Sequence, residues 1–403
     1  MPADGQHPLR ILINSLSARL GGGQTYVINL LRYLPEDTAA EVYVLAPDSL
    51  PVPTDRNNIR RIPVKWPVAN PFLRAVWERA YLPKVLKKIG ADILFCPGGV
   101  IGAWLPRGCK SVTMFRNMIP FDPAQGRRYP LGYLRARHWI LKKLMLRSMK
   151  KADLVIFLSE FAKRVIERHA GGQLKRTAII PHGISTAFRS AGNGNSQRPA
   201  WLPPGEYLLY VSNVDFYKSQ VEVVQAYALL KQRRETPPQL VLVGTESPEY
   251  GRKVRAEIRR LGLENDVLIK GQVPYRRMPA VYQHAYLSIF ASQCENCPNI
   301  LLEALAAGHP VIVSNCPPLP EFAGDAAVYF DPRSPEQLAD KLCEVLGDPR
   351  LRKELSERAL ERSRMYDWQS TAMRTWRAIG SLSKDSDLAE DRWGTCRGAS
   401  ARL

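Results

Sequence analysis

Glu295 and Glu303 stand eight residues apart in the run Cys294-Glu295-Asn296-Cys297-Pro298-Asn299-Ile300-Leu301-Leu302-Glu303. The first falls in a loop after a short apolar run and the second in the first turns of a predicted helix. A carboxylate on a helix can accept from two hydroxyls, such as those of a ribose. Between the two lies a helix start, whose free amides suit a diphosphate. One glutamate would then read a nucleoside and the other approach a sugar; a solvated surface Glu plus a helix-dipole partner fits the spacing equally well. Lys218 follows the strand-like Tyr207–Ser212 at a helix start, where an ammonium can hold a phosphate or simply stay solvated. Arg116 follows Ser111–Phe115 and offers a guanidinium to a phosphate or a carboxylated acceptor, or to a structural ion pair. Gly21-Gly22-Gly23 follows the first strand and opens a helix, so backbone can approach a ligand and amides can meet an anion. The spacing is not G-x-G-x-x-G, and a flexible turn is the other reading. Cys294 and Cys297 form a single C-x-x-C without the second pair zinc needs, which points to small residues lining a turn.

These residues need a scaffold, and the hydrophobic pattern supplies one. Strands are expected at Arg10–Asn14, Glu41–Ala46, Asp92–Cys96, Ser111–Phe115, Asp153–Leu158 and Thr177–Ile180, alternating with helical patterns such as Gln24–Leu34, Pro71–Ile89, Leu131–Lys151 and Phe161–His169. After a Gly-, Asn- and Ser-rich break around 190–199, the alternation resumes, with strands at Tyr207–Ser212, Gln239–Val243, Val267–Ile269, Leu287–Phe290, Val311–Val313 and Ala327–Phe330. Strands alternating with helices mean parallel sheets covered on both faces. The fold class expected is therefore α/β, with two doubly wound Rossmann-like domains facing a cleft. Ligands of such sheets bind beyond the carboxyl ends of the strands, where every residue singled out above falls.

Composition narrows the class. The chain has 403 residues, 45% apolar and 24% charged, which excludes a collagen, a rod and a wholly disordered chain. No apolar run is long enough to span a bilayer, and the opening MPADGQHPLR has no secretory pattern. Seven cysteines are too sparse for a disulfide framework, so a reducing cytoplasm is expected. The net charge of +19 lies wholly in residues 1–200, which hold 31 Lys+Arg against 12 Asp+Glu; residues 201–403 hold 26 of each. A field of that sign attracts polyanions. Nine of those cations and no acid fall between Asp122 and Asp153. Arg135, Lys142, Lys143, Arg147 and Lys150 share one helical face beside an apolar face of Leu134, Leu141, Met145 and Met149. With Tyr129, Tyr133 and Trp139 nearby, that is the pattern of a basic interfacial helix; a core-packed helix with a solvated basic face is the alternative. No nucleic-acid-binding motif accompanies the charge, and nucleic acid is not an expected partner.

Taken together, the segments YLLYVSNVDFYKSQVEVVQAYALL, LVLVGTES, GQVPYRRMPAVYQHA and SQCENCPNILLEALAAGHPVIVSNCPPLPEFAGDAAVYFDP resemble the family 4 retaining glycosyltransferases of GT-B fold, the glycosyl transferases group 1. The Gly-rich loop, LSEFAKRVI and IIPHGIS extend the likeness through the first half. The resemblance implies an acceptor-side domain at 1–190 joined by a helix, 366–382, that crosses back onto it. A linker at 191–204, a nucleotide-sugar-binding domain at 205–365 and a disordered tail at 383–403 complete the expected layout. It implies that Glu303 binds the donor ribose and that Glu295 lies by the transferred sugar. Asn299, Ile300 and Leu301 would present amides to the donor, Lys218 would neutralise the leaving diphosphate, and Gly22 and Gly23 would line the donor site. Catalysis would fall to Glu295, Lys218 and Arg116. The chain departs from the family where Arg116-Asn117 replaces a His-Asp-like pair, where Asn213 replaces an Arg, and where Pro298-Asn299-Ile300 replaces Gly-Leu-Pro.

The expected reaction moves a sugar from a nucleotide-diphosphate donor to a hydroxyl of a glycan or lipid-linked acceptor in envelope polysaccharide or glycolipid synthesis. No Asp-x-Asp is placed to hold a diphosphate, so no metal and no cofactor is expected. The expected location is cytoplasmic, with the basic helix attaching the protein peripherally to the anionic inner face of the cell membrane. A sugar-nucleotide epimerase or hydrolase, and a non-catalytic binder of nucleotide sugars, are the competing readings.

Overall fold

The computed structural model describes residues 7–19, 21–36, 38–53, 56–129, 132–190 and 197–383. Positions 191–196 of the expected linker and 384–403 of the expected tail lie outside the described residues. The chain divides into two compact units. Unit 1 holds residues 1–117, 139–182 and 368–403, and unit 2 holds 118–138 and 183–367.

Unit 1 is built on seven parallel strands: β1 (Leu9–Asn14), β2 (Ala40–Leu45), β3 (Ile59–Arg61), β4 (Ile93–Cys96), β5 (Lys110–Met114), β6 (Leu154–Phe157) and β7 (Thr177–Ile179). Their spatial order is β3-β2-β1-β4-β5-β6-β7. The inner strands β4 and β6 are buried at every position, which is why they read as unbroken apolar runs rather than as alternations. β3 escapes sequence reading because it is three residues long and contributes Arg60 and Arg61 to the sheet's edge. The helix expected over Pro71–Ile89 is two helices, Pro71–Ala80 and Leu82–Ile89. Pro83 sits in the first turn of the second, where its missing N–H costs nothing, so the chain restarts there instead of continuing.

The last helix, Trp368–Gly380, belongs to unit 1. Trp376 is fully buried and donates its indole N–H to the Leu30 carbonyl at 3.0 Å. Thr371 donates to the Pro181 carbonyl at 2.9 Å, and Trp368 packs by Tyr26 and His182 with ring centres 6.3 and 5.5 Å away.

Unit 2 carries six parallel strands: β8 (Tyr207–Val211), β9 (Gln239–Val243), β10 (Val267–Gly271), β11 (Leu287–Phe290), β12 (Val311–Ser314) and β13 (Val328–Phe330). Their order is β10-β9-β8-β11-β12-β13. In both sheets the order reverses once, between β1 and β4 and between β8 and β11, and the loops leaving those strands are where an open α/β sheet binds ligands.

Residues 118–138 fall in unit 2, although the sequence reading kept all of 1–190 in the first domain. The reason is a set of specific anchors. Arg128 donates to the Phe216 carbonyl at 2.7 Å, and the Tyr129 ring meets Phe216 edge-on at 5.9 Å. A short helix here, Pro123–Arg128, starts on Asp122, whose carboxylate accepts from the Ala124 and Gln125 amides at 3.0 and 3.1 Å.

Candidate functional site

The two loops leaving the central strands of unit 2 bring Lys218 and Glu295 into one buried ion pair. Lys218 closes a three-residue turn, Phe216–Lys218, after β8; Glu295 lies in the loop after β11. The lysine side chain is only 6% exposed and the glutamate 14%. The ammonium lies 5.0 Å from the ring centres of both Tyr217 and Phe290, so aromatic faces replace much of its water. Lys218 is thus no solvated surface cation, and the surface reading left open for Glu295 does not hold either.

The backbone around Lys218 is held from several sides. Tyr210 donates its hydroxyl to the Lys218 carbonyl at 2.6 Å. The next residue, Ser219, has φ of 55°, the one non-glycine residue in the left-handed region among those described. Such a conformation costs on the order of 1–2 kcal/mol for an L-residue. Gln293 offsets it: its side chain donates to the Ser219 hydroxyl at 2.6 Å while its amide donates to the Tyr217 carbonyl at 2.7 Å. Gln125, from the 118–138 segment, donates to the Gln293 side-chain Oε1 at 3.3 Å. None of Ser219, Gln293 and Gln125 was visible as a site residue in the sequence. A serine at a positive φ leaves no local signal, and Gln125 lies 168 residues from its partner.

Beyond Glu295 the helix Asn299–Ala307 begins with no side-chain cap and no acid in its first turn. Its first turn includes Ile300 and Leu301, whose amides are of the kind a helix leaves for an anion. Asn299 differs from expectation: its amide donates to the Cys297 carbonyl at 3.0 Å. Cys294 is buried, and burial pushes its thiol well up, which disfavours the thiolate that metal or redox chemistry requires.

Glu303 lies in this helix, 9% exposed. Burial pushes its carboxyl up to about 8, against the opposing pull of hydrogen bonds from the Tyr275 and Tyr282 hydroxyls. Tyr282 also donates to the Ile300 carbonyl at 3.3 Å, tying the carboxylate's partner to the helix's first turn. The tyrosines come from a different element, the turn and helix after β10, and only the fold pairs them with Glu303. A carboxyl so placed gains a full charge most readily when new hydroxyl donors arrive.

Asn213, where a cation was noted as missing, has an exposed side chain; its carbonyl accepts from Gln220 at 2.9 Å.

In unit 1, Gly22 begins the helix Gly22–Arg32, again with no side-chain cap and no first-turn acid. Arg116 lies beside it. Its guanidinium sits 5.9 Å over the Tyr26 ring, and a Cβ on Gly23 would fall 3.3 Å from an Arg116 nitrogen. Gly22, Gly23 and Arg116 therefore gather within unit 1, while Lys218, Glu295, Ile300, Leu301 and Glu303 gather within unit 2.

The basic helix, Tyr133–Lys151, buries Met145, Ser148 and Met149. Leu134, expected on the same apolar face, is 40% exposed, and Leu141 is half-buried. Lys143, Arg147 and Lys150 are exposed, and Lys142 is half-buried. Arg135 is drawn off the patch: it donates to the carbonyls of Tyr129 at 2.7 Å and Arg127 at 2.6 Å in unit 2. Among the described residues no helix is long and apolar enough to cross a membrane.

Comparison with known proteins follows this division. The family model described as Glycosyl transferases group 1 matches residues 195–362, and that described as Glycosyltransferase Family 4 matches residues 20–188. The O-antigen chain mannosyltransferase B of Escherichia coli is 24% identical over 279 residues, 68% of this chain and 71% of that protein. The D-inositol 3-phosphate glycosyltransferase of Corynebacterium glutamicum (strain R) is 25% identical over 253 residues, 60% of this chain and 59% of that one. Among solved structures, WaaG, a glycosyltransferase involved in lipopolysaccharide biosynthesis, superposes with a TM-score of 0.68 at 19% identity, covering 92% of this chain and 99% of that one. At that identity the likeness speaks for the fold.

Proposed function

Because the chain belongs to the glycosyl transferases group 1 family, we propose that it transfers a sugar, with retention of anomeric configuration, from a nucleoside-diphosphate sugar to a hydroxyl of an envelope glycan or lipid-linked acceptor. The observation that carries this reading is the buried Lys218–Glu295 pair beside an uncapped helix start and the Tyr-bound Glu303. The ribose hydroxyls would donate to Glu303, which ionises as they arrive. The diphosphate would meet the Ile300 and Leu301 amides and draw Lys218 away from Glu295. Glu295, released, would accept from hydroxyls of the transferred sugar. As the glycosidic bond breaks, negative charge collects on the leaving diphosphate. A preorganised donor aimed at such charge is worth about 3–4 kcal/mol. Arg116, permanently charged, would serve phosphate or an acidic acceptor group but cannot shuttle a proton as a neutral imidazole does.

The name of the mannosyltransferase relative supports an envelope glycan as acceptor. The exposed cations Lys143, Arg147 and Lys150 support peripheral attachment to an anionic membrane at its cytoplasmic face. Lysine and helix amides supply the positive charge for the diphosphate, so turnover is expected to survive a chelator. The test is calorimetric titration with UDP, GDP and ADP, followed by NMR of the product formed from the sugar of the nucleotide that binds. One diphosphate should bind, lose affinity in Glu303→Ala, and yield a product with the donor's anomeric configuration. An inverted product, or no diphosphate binding at all, would refute the reading.

A further inference from the structure

Unit 1 holds a cavity of about 500 Å³ between the helix Pro71–Ala80, the loop carrying Trp104 and the helix Tyr133–Lys151. That volume lies within the range of small-ligand sites. Its wall includes Ile101, Ala103 and Leu144, and the serine hydroxyls and the carboxylate of the wall are already engaged. Ser148 donates to the Leu144 carbonyl at 2.8 Å and accepts from the Ile101 amide at 3.0 Å. Ser111 donates to Asp153 at 3.0 Å. Glu78, the one acid in the wall, accepts from Asn14 at 3.0 Å and faces Arg74 at 4.0 Å. A peptide or a sugar would find the serine hydroxyls and the carboxylate of the wall already taken, whereas a hydrocarbon needs no hydrogen-bond partner.

The rim has the opposite character. Arg79, Arg147 and Lys151 border the cavity, and among the described residues no carboxylate lies within ion-pair distance of any of them. The Arg79 guanidinium lies 4.1 Å over the Trp104 ring, and the Lys143 ammonium 3.7 Å over Trp139. Trp104 is 58% exposed, Trp139 59% and Leu144 43%, with Phe72 and Val76 exposed on the facing helix. Indoles carrying cations at the edge of an exposed apolar patch are suited to the boundary between headgroups and acyl chains.

We infer that this cavity seats the hydrocarbon chain of a phosphate-bearing lipid, the carrier of the acceptor, with the phosphate held by Arg79, Arg147 and Lys151. The inference deepens the acceptor class proposed above and rests on that reading. The probe is dodecyl phosphate below its micellar concentration, titrated into the full chain by tryptophan fluorescence and calorimetry, with hexyl phosphate and inorganic phosphate alongside. Dodecyl phosphate should bind at least tenfold more tightly than hexyl phosphate, and inorganic phosphate weakest. Ala75→Trp, at an exposed position in the cavity wall, should weaken dodecyl phosphate at least tenfold without a change in melting temperature or in UDP or GDP affinity. Equal binding of the two alkyl phosphates, or wild-type binding by Ala75→Trp, would overturn the inference. The nucleotide titration reads unit 2 independently, so loss of nucleotide binding in the wild type would sink the donor reading instead. In a parallel flotation assay with vesicles of 70% POPC and 30% POPG, adsorption with wild-type dodecyl phosphate binding in Ala75→Trp means surface contact alone, which also overturns the cavity's role.

Discussion

The two units present charge in opposite ways. In unit 2 the cation is buried, paired and oriented: Lys218 meets Glu295, rests against two rings, and stands on a backbone held by Tyr210 and Gln293. In unit 1 Lys143, Arg147 and Lys150 of the basic helix are exposed, and Lys143 rests on the Trp139 ring. Directional recognition of a diphosphate needs fixed donors in a dry place, and a fixed buried group is costly to disturb. Attraction to an anionic surface needs only number and sign, and each exposed cation adds little. Under the proposed function, one chain would carry a site whose parts act as a unit and a surface whose parts add.

The strongest test of that contrast is Lys218→Ala. Turnover should fall about 10²–10³-fold, the loss of one preorganised donor. Glu295 would be left buried without its partner, so stability should drop by roughly 3 kcal/mol in denaturant unfolding. Adding Glu295→Gln should return most of the stability and none of the turnover. If Lys218→Ala alone behaves like an exposed lysine, the contrast fails.

A second break compares glycines. A Cβ on Gly244, at the end of β9, would fall 1.9 Å from the Ser212 carbonyl oxygen, with φ of 150°. Backbone cannot yield there, and Gly244→Ala should cost about 3 kcal/mol or more while displacing the strand end that leads to Lys218. Gly23→Ala in unit 1 comes nearest the tip of Arg116, at 3.3 Å, with Ala18 at ordinary contact distance, and should stay within about 1 kcal/mol of wild type.

The third test is pH. Glu303 binds a proton up to about 8 in the empty fold, whereas an unfolded Glu releases it near 4.3. The folded state therefore holds more protons in between, and this residue's contribution to stability declines as pH rises across that window. Ligand hydroxyls that require the carboxylate reverse the demand, so nucleoside-diphosphate affinity should rise roughly 20-fold from pH 6.5 to 8.5, as expected for a group titrating at about 8. Glu303→Gln should flatten that component of the profile. The smallest effects belong to unit 1: Lys143→Ala and Lys150→Ala should each weaken anionic vesicle binding by about 1 kcal/mol, additively and only at low salt.

Much of this was legible in the residues. Inner strands such as Leu154–Phe157 and Leu287–Phe290 announce themselves because burial on both faces leaves no polar position. The Glu295–Glu303 spacing placed both groups around the start of the helix Asn299–Ala307. What stayed hidden depends on distant partners. The hydroxyls of Tyr275 and Tyr282 reach Glu303 from another element, and Gln125 reaches Gln293 across 168 residues. The 118–138 segment looks like part of the first domain because the strands on either side of it are. Arg135 reads as one more cation of a basic face until the carbonyls of Arg127 and Tyr129 claim it.

The order of segments has a further consequence for how the molecule is made. The chain visits unit 1, then unit 2 at 118–138, unit 1 again at 139–182, unit 2 at 183–367, and unit 1 once more from Trp368. Emerging from a ribosome, the amino-terminal unit is begun first and finished last. Until Trp376 arrives, the Leu30 carbonyl and the Tyr26 hydroxyl lack the partners they hold in the finished protein. Unit 2, complete by residue 367, can close while its neighbour still waits, and a nascent chain stalled short of Trp368 would carry an open seam for chaperones or proteases to find.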